Sequence, residues 1–133
     1  MKRYDFHSHL GKTRSGDANS AAQLVEDLKA FGISKVGICS LSGNGMRAQN
    51  DLVYEAMCEF PEVIEGYADI DPKAPDAIDE VHRTLGECHM NGVKFMPWKH
   101  GYAAENCPSL GGVLDAIGEY GVHVQIHGGA SPL

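Results

Sequence analysis

Short apolar runs alternate along the chain with longer amphipathic segments, a pattern typical of strands that alternate with helices. The apolar runs predict five strands, at 3–7, 33–40, 63–70, 92–97 and 122–127. Apolar residues at helical spacing predict four helices between them, marked by Leu24 and Leu28, Val53 and Ala56, Val81 and Leu85, and Val113 and Ile117. Strict alternation with short connections predicts parallel strands joined by right-handed crossovers, and therefore an α/β fold.

Residues that begin or end helices support the same division of the chain. Ser20 followed by Gln23 fits a capping box at the start of the first helix. Gly32 and Gly121 stand where a left-handed residue closes a helix, and Pro61 stops the second helix.

Hydrophobic periodicity leaves two α/β architectures open, a doubly wound open sheet and a β/α barrel. The positions of polar residues favour the barrel. His7 and His9, Lys94 and His127 all lie at or near the carboxyl ends of predicted strands one, four and five. An open sheet usually gathers its ligands at one switch point, whereas a barrel draws them from several strands around one mouth.

The stretch YDFHSHLG carries two histidines one residue apart in an apparent strand. Side chains at i and i+2 share one face of a strand, so His7 and His9 point the same way. Neutral imidazole suits zinc, iron, nickel or copper, which makes this pair a candidate metal site. Asp5 would share the face and could orient one ring. The alternative is a solvated strand end that binds nothing.

Composition narrows the class of protein. The 133 residues form one domain at most, and 43% hydrophobic with 22% charged residues is typical of a globular protein. A net charge of −7 without any basic run argues against nucleic acid or an anionic membrane as a partner. No apolar stretch approaches the ~20 residues that span a bilayer, and no signal-peptide pattern follows the first residues, so we expect a cytoplasmic location.

The four cysteines are far apart and form no C-x-x-C pair. Cys39, Cys58, Cys88 and Cys107 sit among strand and helix residues, as small hydrophobic residues often do. The sequence therefore predicts neither a disulfide framework nor a structural zinc site.

Four segments of the chain are informative together, in the order DFHSHLG, EFPEVIEGYADIDP, GVKFMPW and VQIHGGASPL. They resemble the amidohydrolase superfamily, specifically its amidohydrolase-related branch of metal-dependent hydrolases and decarboxylases. The resemblance implies a (β/α)8 TIM barrel in which His7 and His9 bind a divalent metal ion, for which we expect zinc. It also implies that His127 is a further metal ligand and has a catalytic role. Lys94 matches a fourth-strand lysine, which we expect to be uncarbamylated and to bind a substrate carboxylate as a point charge.

The resemblance further calls for a sixth-strand histidine and an eighth-strand aspartate, which have no counterpart before Leu133. We therefore expect residues 1–133 to be the N-terminal part of a barrel of ~250 residues, with strands one to five and four intervening helices. Such a chain alone is expected to be inactive and to self-associate through its uncovered strand edges. A full-length form is expected to be a homo-oligomer.

The function that the resemblance implies is metal-dependent hydrolysis of a small, carboxylate-bearing substrate by a metal-activated water. A decarboxylase of the same family is the alternative, as is a non-catalytic remnant. Other barrels with an H-x-H strand, such as the TatD-like nucleases or the polymerase and histidinol phosphatase family, fit less well. The nucleases would need a glutamate in the fourth strand and a track for phosphates, and the sequence offers neither.

Several remaining polar residues are assigned by position. His123 and Gln125 should lie deeper on the face of His127, in packing roles. His82 and His89 should lie on the surface of the third helix. Trp98, His100 and Tyr102 belong to the loop after the fourth strand, where contact with substrate and a solvated loop remain equal alternatives.

Overall fold

In a computed structural model of the protein, the described residues 2–12, 18–41 and 45–128 form alternating strands and helices. The strands are β1 (Tyr4–Lys12), β2 (Ala18–Asn19), β3 (Lys35–Ser40), β4 (Ile64–Asp69), β5 (Gly92–Phe95) and β6 (His123–Ile126). The α-helices are α1 (Ala21–Ala30), α2 (Met46–Glu59), α3 (Ala77–Val81), α4 (Pro97–His100) and α5 (Leu110–Gly118). A π-helix, His82–Glu87, continues α3, and a 3-10 turn occupies Ala104–Asn106. The chain divides into two compact units, Met1–Tyr67 and Ala68–Leu133.

The first unit is a parallel sheet with two helices. β3 pairs in parallel with β1 on one side and with β4 on the other, and the short β2 runs antiparallel to β1. Helix α1 buries Leu24, Val25 and Leu28, and helix α2 buries Val53 and Ala56. Burial of these apolar stripes is the main favourable contribution to folding of this unit.

The second unit pairs β5 in parallel with β6, in register from Gly92 opposite His123 to Phe95 opposite Ile126. Just after β4, the Ile70 N–H donates to the Lys94 carbonyl at 3.2 Å. Helices α3 and α5 contact each other, and the apolar core of the unit includes Val81, Leu85, Val93, Val113 and Ile117.

The α/β alternation with parallel strands and the helix caps are confirmed. Ser20 Oγ accepts the Gln23 backbone N–H at 3.2 Å, although the Gln23 side chain bonds Asp27 instead of completing the capping box. Gly32 (φ 67°) and Gly121 (φ 62°) are left-handed, as predicted. Within the described ranges, no helix is both long and apolar enough to cross a bilayer.

Four elements differ from the predictions. The short strand β2 lies in a segment predicted as loop. β1 continues to Lys12 instead of ending near His7, because His9 pairs with β3 and Gly11 pairs with β2. The third helix changes to π geometry after Val81. The sequence predicts a loop after β5, but Pro97 begins a short helix there. Proline fits the first turn of a helix, because a backbone N–H at that position would have no partner within the helix.

A β-bulge interrupts the pairing of β1 with β3. Asp5 pairs with Val36 and Ser8 with Ile38, so two residues of β1, Phe6 and His7, lie opposite Gly37 alone. A Cβ atom at Gly37 would lie 2.8 Å from the Phe6 carbonyl oxygen. The bulge therefore needs a residue without a side chain at this point of β3.

We predict that Gly37→Ala destabilises the chain by about 1–3 kcal/mol, because the new methyl group overlaps a backbone atom that the sheet holds in place. Urea denaturation followed by circular dichroism measures the change. Gly111→Ala is the matched control, since a Cβ there meets nothing within 4 Å. We expect it to be neutral or stabilising by up to about 1 kcal/mol. Equal midpoints for Gly37→Ala and wild type would show that the close approach is not a constraint.

Candidate functional site

His7 and His9 lie side by side on β1, as the sequence predicted. Their ring centroids are 4.5 Å apart and the rings meet edge to face at 83°. His7 is exposed and His9 half-buried, so the pair is accessible from solvent. Two imidazoles in this arrangement can present their nitrogens to one ion.

A third potential ligand, Cys39 of β3, was not expected at this site. The potential ligand atoms of His7, His9 and Cys39 all lie within 4.8 Å of one another. Among the described residues, this is the only group of three or more His, Cys, Asp or Glu side chains that is compact enough to hold a metal ion. In the sequence, Cys39 has the pattern of a small hydrophobic strand residue, and only the strand register shows its neighbours.

The bulge brings the histidines to the face of Cys39. Because of the extra residue, His9 pairs with Cys39, and in-register neighbours on parallel strands share a face. Without it, continued pairing from Asp5 with Val36 would place His9 opposite Ser40, on the other face of β3.

The same bulge makes the prediction for Asp5 wrong. Asp5 pairs with Val36 and His9 with Cys39, and residues three apart on β3 face opposite sides. Asp5 therefore does not share the face of the histidines. Its Oδ1 instead accepts the backbone N–H of His7 at 3.2 Å, inside the bulged segment.

Lys94 and His127, the other predicted site residues, belong to the second unit. The Lys94 side chain is buried in the middle of β5, only 5% exposed. His127 follows β6, and its backbone N–H donates to the Phe95 carbonyl at 2.9 Å. Its ring packs edge-on against Trp98 with centroids 5.7 Å apart. The metal-binding role of His127 and the substrate-binding role of Lys94 stay predictions.

A buried ion-pair cluster follows β4 in the second unit. Asp69 is fully buried and forms a salt bridge with Lys99. The Nε2 atom of His100 lies 3.0 Å from Asp69 Oδ1, and its Nδ1 lies 3.6 Å from Asp71 Oδ2. The His100 side chain is only 12% exposed, so the solvated-loop alternative for this residue is wrong. A buried carboxylate without such partners would be strongly destabilising.

Tyr102 borders the same cluster. Partial burial raises the pKa of its phenol to about 12, and the negative charges of Cys107, Asp71 and Asp69 act in the same direction. Each of these causes disfavours the phenolate.

Other predicted positions have mixed outcomes. His123 is exposed and Gln125 half-buried, so the deeper packing role predicted for His123 is not seen in the described chain. His89 is exposed, as predicted, but it follows the helical segment, which ends at Glu87. His82 is half-buried, and its Nδ1 lies 2.8 Å from the Tyr120 hydroxyl. The four cysteines all lie in the described ranges and form no disulfide, with Cys58 exposed and the others buried.

Comparison with known proteins finds similarity at the level of structure. No protein-family model matches the chain, and no curated protein sequence matches it significantly. A 5-carboxyvanillate decarboxylase from Novosphingobium aromaticivorans, solved with bound manganese, aligns with TM-score 0.78 at 17% identity, over 98% of this chain and 52% of its own. An amidohydrolase II aligns with TM-score 0.77 at 18% identity, over 98% and 51% of the two chains.

A third solved structure is a probable 2-pyrone-4,6-dicarboxylic acid hydrolase from Acinetobacter baumannii with bound citric acid. It aligns with TM-score 0.73 at 16% identity, over 96% of this chain and 50% of its own. This chain thus spans about half the length of the solved structures that it matches. The matched proteins include an amidohydrolase II, and their similarity confirms the predicted α/β fold, with the strand and helix order of a partial β/α barrel.

We predict that the Tyr102 phenol loses its proton at a higher pH than an ordinary tyrosine, with a pKa of about 12. Its folded pKa lies above the unfolded value of about 10, so its contribution to stability is complete below about pH 10 and is lost as the pH rises through the folded pKa. The phenolate absorbance of wild type minus that of Tyr102→Phe isolates this group. A midpoint near 10 in the difference titration would contradict the burial of the phenol beside the carboxylates.

We also predict that Lys94 is not carbamylated, because GVKFMPW resembles the branch that holds a single metal ion. Carbon-13 NMR of the protein in labelled bicarbonate should show no carbamate carbon, with or without added zinc. A carbamate signal that disappears in Lys94→Arg would contradict the prediction.

Proposed function

We propose that this chain is part of a metal-dependent enzyme of the amidohydrolase superfamily that hydrolyses a small, carboxylate-bearing substrate with water. The observation that carries the proposal is the adjacent imidazole pair on β1, with ring centroids 4.5 Å apart, in a chain that folds like these enzymes. The pair straddles the middle of β1, and His9 lies opposite Cys39 near the carboxyl end of β3, the end at which barrel enzymes place their chemistry.

The residues of the first unit fit a divalent cation by their chemistry and spacing. Ligand atoms on a tetrahedral ion with bonds of ~2.0–2.3 Å lie about 3.3–3.6 Å apart. The atoms of His7, His9 and Cys39, within 4.8 Å of one another, need to close by at most about 1.5 Å, which side-chain rotation can supply. A divalent ion bound there would supply Lewis acidity to a water molecule or to a substrate oxygen.

The roles proposed for the chain's own residues follow from their chemistry. His7 and His9 bind the ion with neutral imidazole nitrogens. Lys94, which is buried, orients the substrate by pairing with its carboxylate. His127 is proposed as a further ligand on the strength of the resemblance, and the Trp98 ring restricts the orientation of its imidazole.

Decarboxylation is the second candidate reaction. It is favoured by the matched 5-carboxyvanillate and 2,6-dihydroxybenzoate decarboxylases, which align as well as the hydrolase does. The same metal ion and Lys94 would then hold the carboxylate group that is released as carbon dioxide. Hydrolysis consumes water without releasing carbon dioxide, whereas decarboxylation releases it, so product analysis separates the two reactions.

Several finer properties belong to the proposal alone. Zinc is proposed as the resident ion, although one matched decarboxylase was solved with manganese. A small molecule is the proposed substrate, and a homo-oligomer in the cytoplasm is the proposed state of the whole protein. Residues 1–133 are proposed to be the N-terminal part of its barrel.

We predict that His7→Ala and His9→Ala each weaken zinc binding at least tenfold in isothermal titration calorimetry, because each removes one of few ligands. His127→Ala should weaken it as well. His89→Asn is the control, since His89 is exposed at φ 54° and asparagine tolerates that backbone conformation. Unchanged affinity in both His7→Ala and His9→Ala would remove the basis of the proposed function.

Activity is tested on the zinc-loaded chain and on any longer reading frame that contains it. A panel of small aryl and alkyl carboxylates, lactones and amides is screened for hydrolysis and for release of carbon dioxide. We expect hydrolysis that is lost in Lys94→Met. Release of carbon dioxide without hydrolysis would transfer the proposal to the decarboxylase alternative. Metal binding without turnover in any form of the protein would favour the non-catalytic remnant.

A further inference from the structure

Cys39 differs from the other buried cysteines by its surroundings. The sulfur of Cys88 accepts from Arg83 at 3.6 Å, and that of Cys107 lies 3.6 Å from the Ser109 hydroxyl. Among the described residues, neither belongs to a compact group of three potential metal ligands. Cys39 instead faces two imidazoles, and its side chain is 0% exposed.

The position of Cys39 is fixed by backbone structure and not by a flexible loop. It lies near the end of β3, between buried residues, and it pairs in register with His9 across the parallel ladder. In-register neighbours on one face have Cβ atoms about 5 Å apart, a separation that allows an imidazole and a thiol to meet on one ion. The site is therefore formed within the first unit alone.

We propose that Cys39 is a metal ligand and that its thiolate makes the site prefer thiophilic cations such as zinc over manganese. The inference rests on the proposed function only in that both place the ion at His7 and His9. On coordination the thiol loses its proton to solvent and its sulfur forms a bond to the ion, without any change of redox state. Thiolate sulfur favours zinc and cobalt, whereas manganese favours oxygen ligands.

Cobalt(II) provides the direct probe, because a thiolate bound to it gives an intense near-ultraviolet charge-transfer absorption that imidazole ligands do not give. We expect this band when cobalt is added to the wild-type chain under reducing conditions. It should persist in a variant with Cys58, Cys88 and Cys107 all changed to serine, and disappear in Cys39→Ser. Absence of the band in the wild-type chain, or its persistence in Cys39→Ser, would overturn the proposal.

Metal affinities give the second measurement. We expect Cys39→Ser to weaken zinc binding at least tenfold and to change manganese binding less than threefold. Cys58→Ser makes the same chemical change at an exposed residue, and it should alter the affinity for neither metal. An equal loss for both metals would indicate a packing role for Cys39 and would overturn the proposal. Because the cobalt band is read on the wild-type chain, poor folding of Cys39→Ser does not prevent a decision.

The two proposals fail separately. A cobalt–thiolate band without turnover of any substrate supports the ligand role of Cys39 and counts against the enzymatic function. Turnover by a metal-loaded protein that shows no such band supports the function and overturns the role of Cys39.

Discussion

The candidate site depends on one close approach between two strands, that of the Phe6 carbonyl oxygen to Gly37. A side chain at residue 37 would occupy the space of that oxygen, with a Cβ only 2.8 Å away. With glycine there, β1 accommodates one extra residue and its later half pairs one step out of phase with β3. The histidines consequently share a face with Cys39, and Asp5 does not. A one-residue shift of register reverses every facing relation in a strand, so this single bulge decides which side chains meet.

A buried charge organises the second unit in a comparable way. Asp69 is fully buried, and the cationic Lys99 together with His100 satisfies its carboxylate. Both partners lie on the short helix α4, so the ion pairs hold this helix against the end of β4. Trp98 belongs to the same helix and packs on the ring of His127. The orientation of the predicted ligand His127 is therefore linked, through the four residues of helix α4, to the Asp69 carboxylate.

The sequence predicts the parts of the structure that depend on local pattern. Alternating apolar runs and helical stripes define the parallel α/β fold, and the capping residues Ser20, Gly32 and Gly121 mark helix ends because their chemistry is local. The H-x-H pair is likewise a local signal. The bulge is not, because an extra residue in a strand leaves no mark in the apolar pattern. The contacts of Cys39 with the two histidines, and of His100 with Asp69, join residues about 30 positions apart in the chain. The local pattern of the sequence carries no signal for such contacts.

If the bulged β1 strand presents His7 and His9 to a single divalent ion, both imidazoles should be detectable around that ion. Zinc X-ray absorption spectroscopy of the metal-loaded chain can detect them, because imidazole rings give a characteristic multiple-scattering pattern around the absorbing ion. We expect scattering from at least two imidazoles, which is lost when both histidines are changed to alanine. A zinc environment without imidazoles, or one that is identical in the double variant, would contradict this expectation.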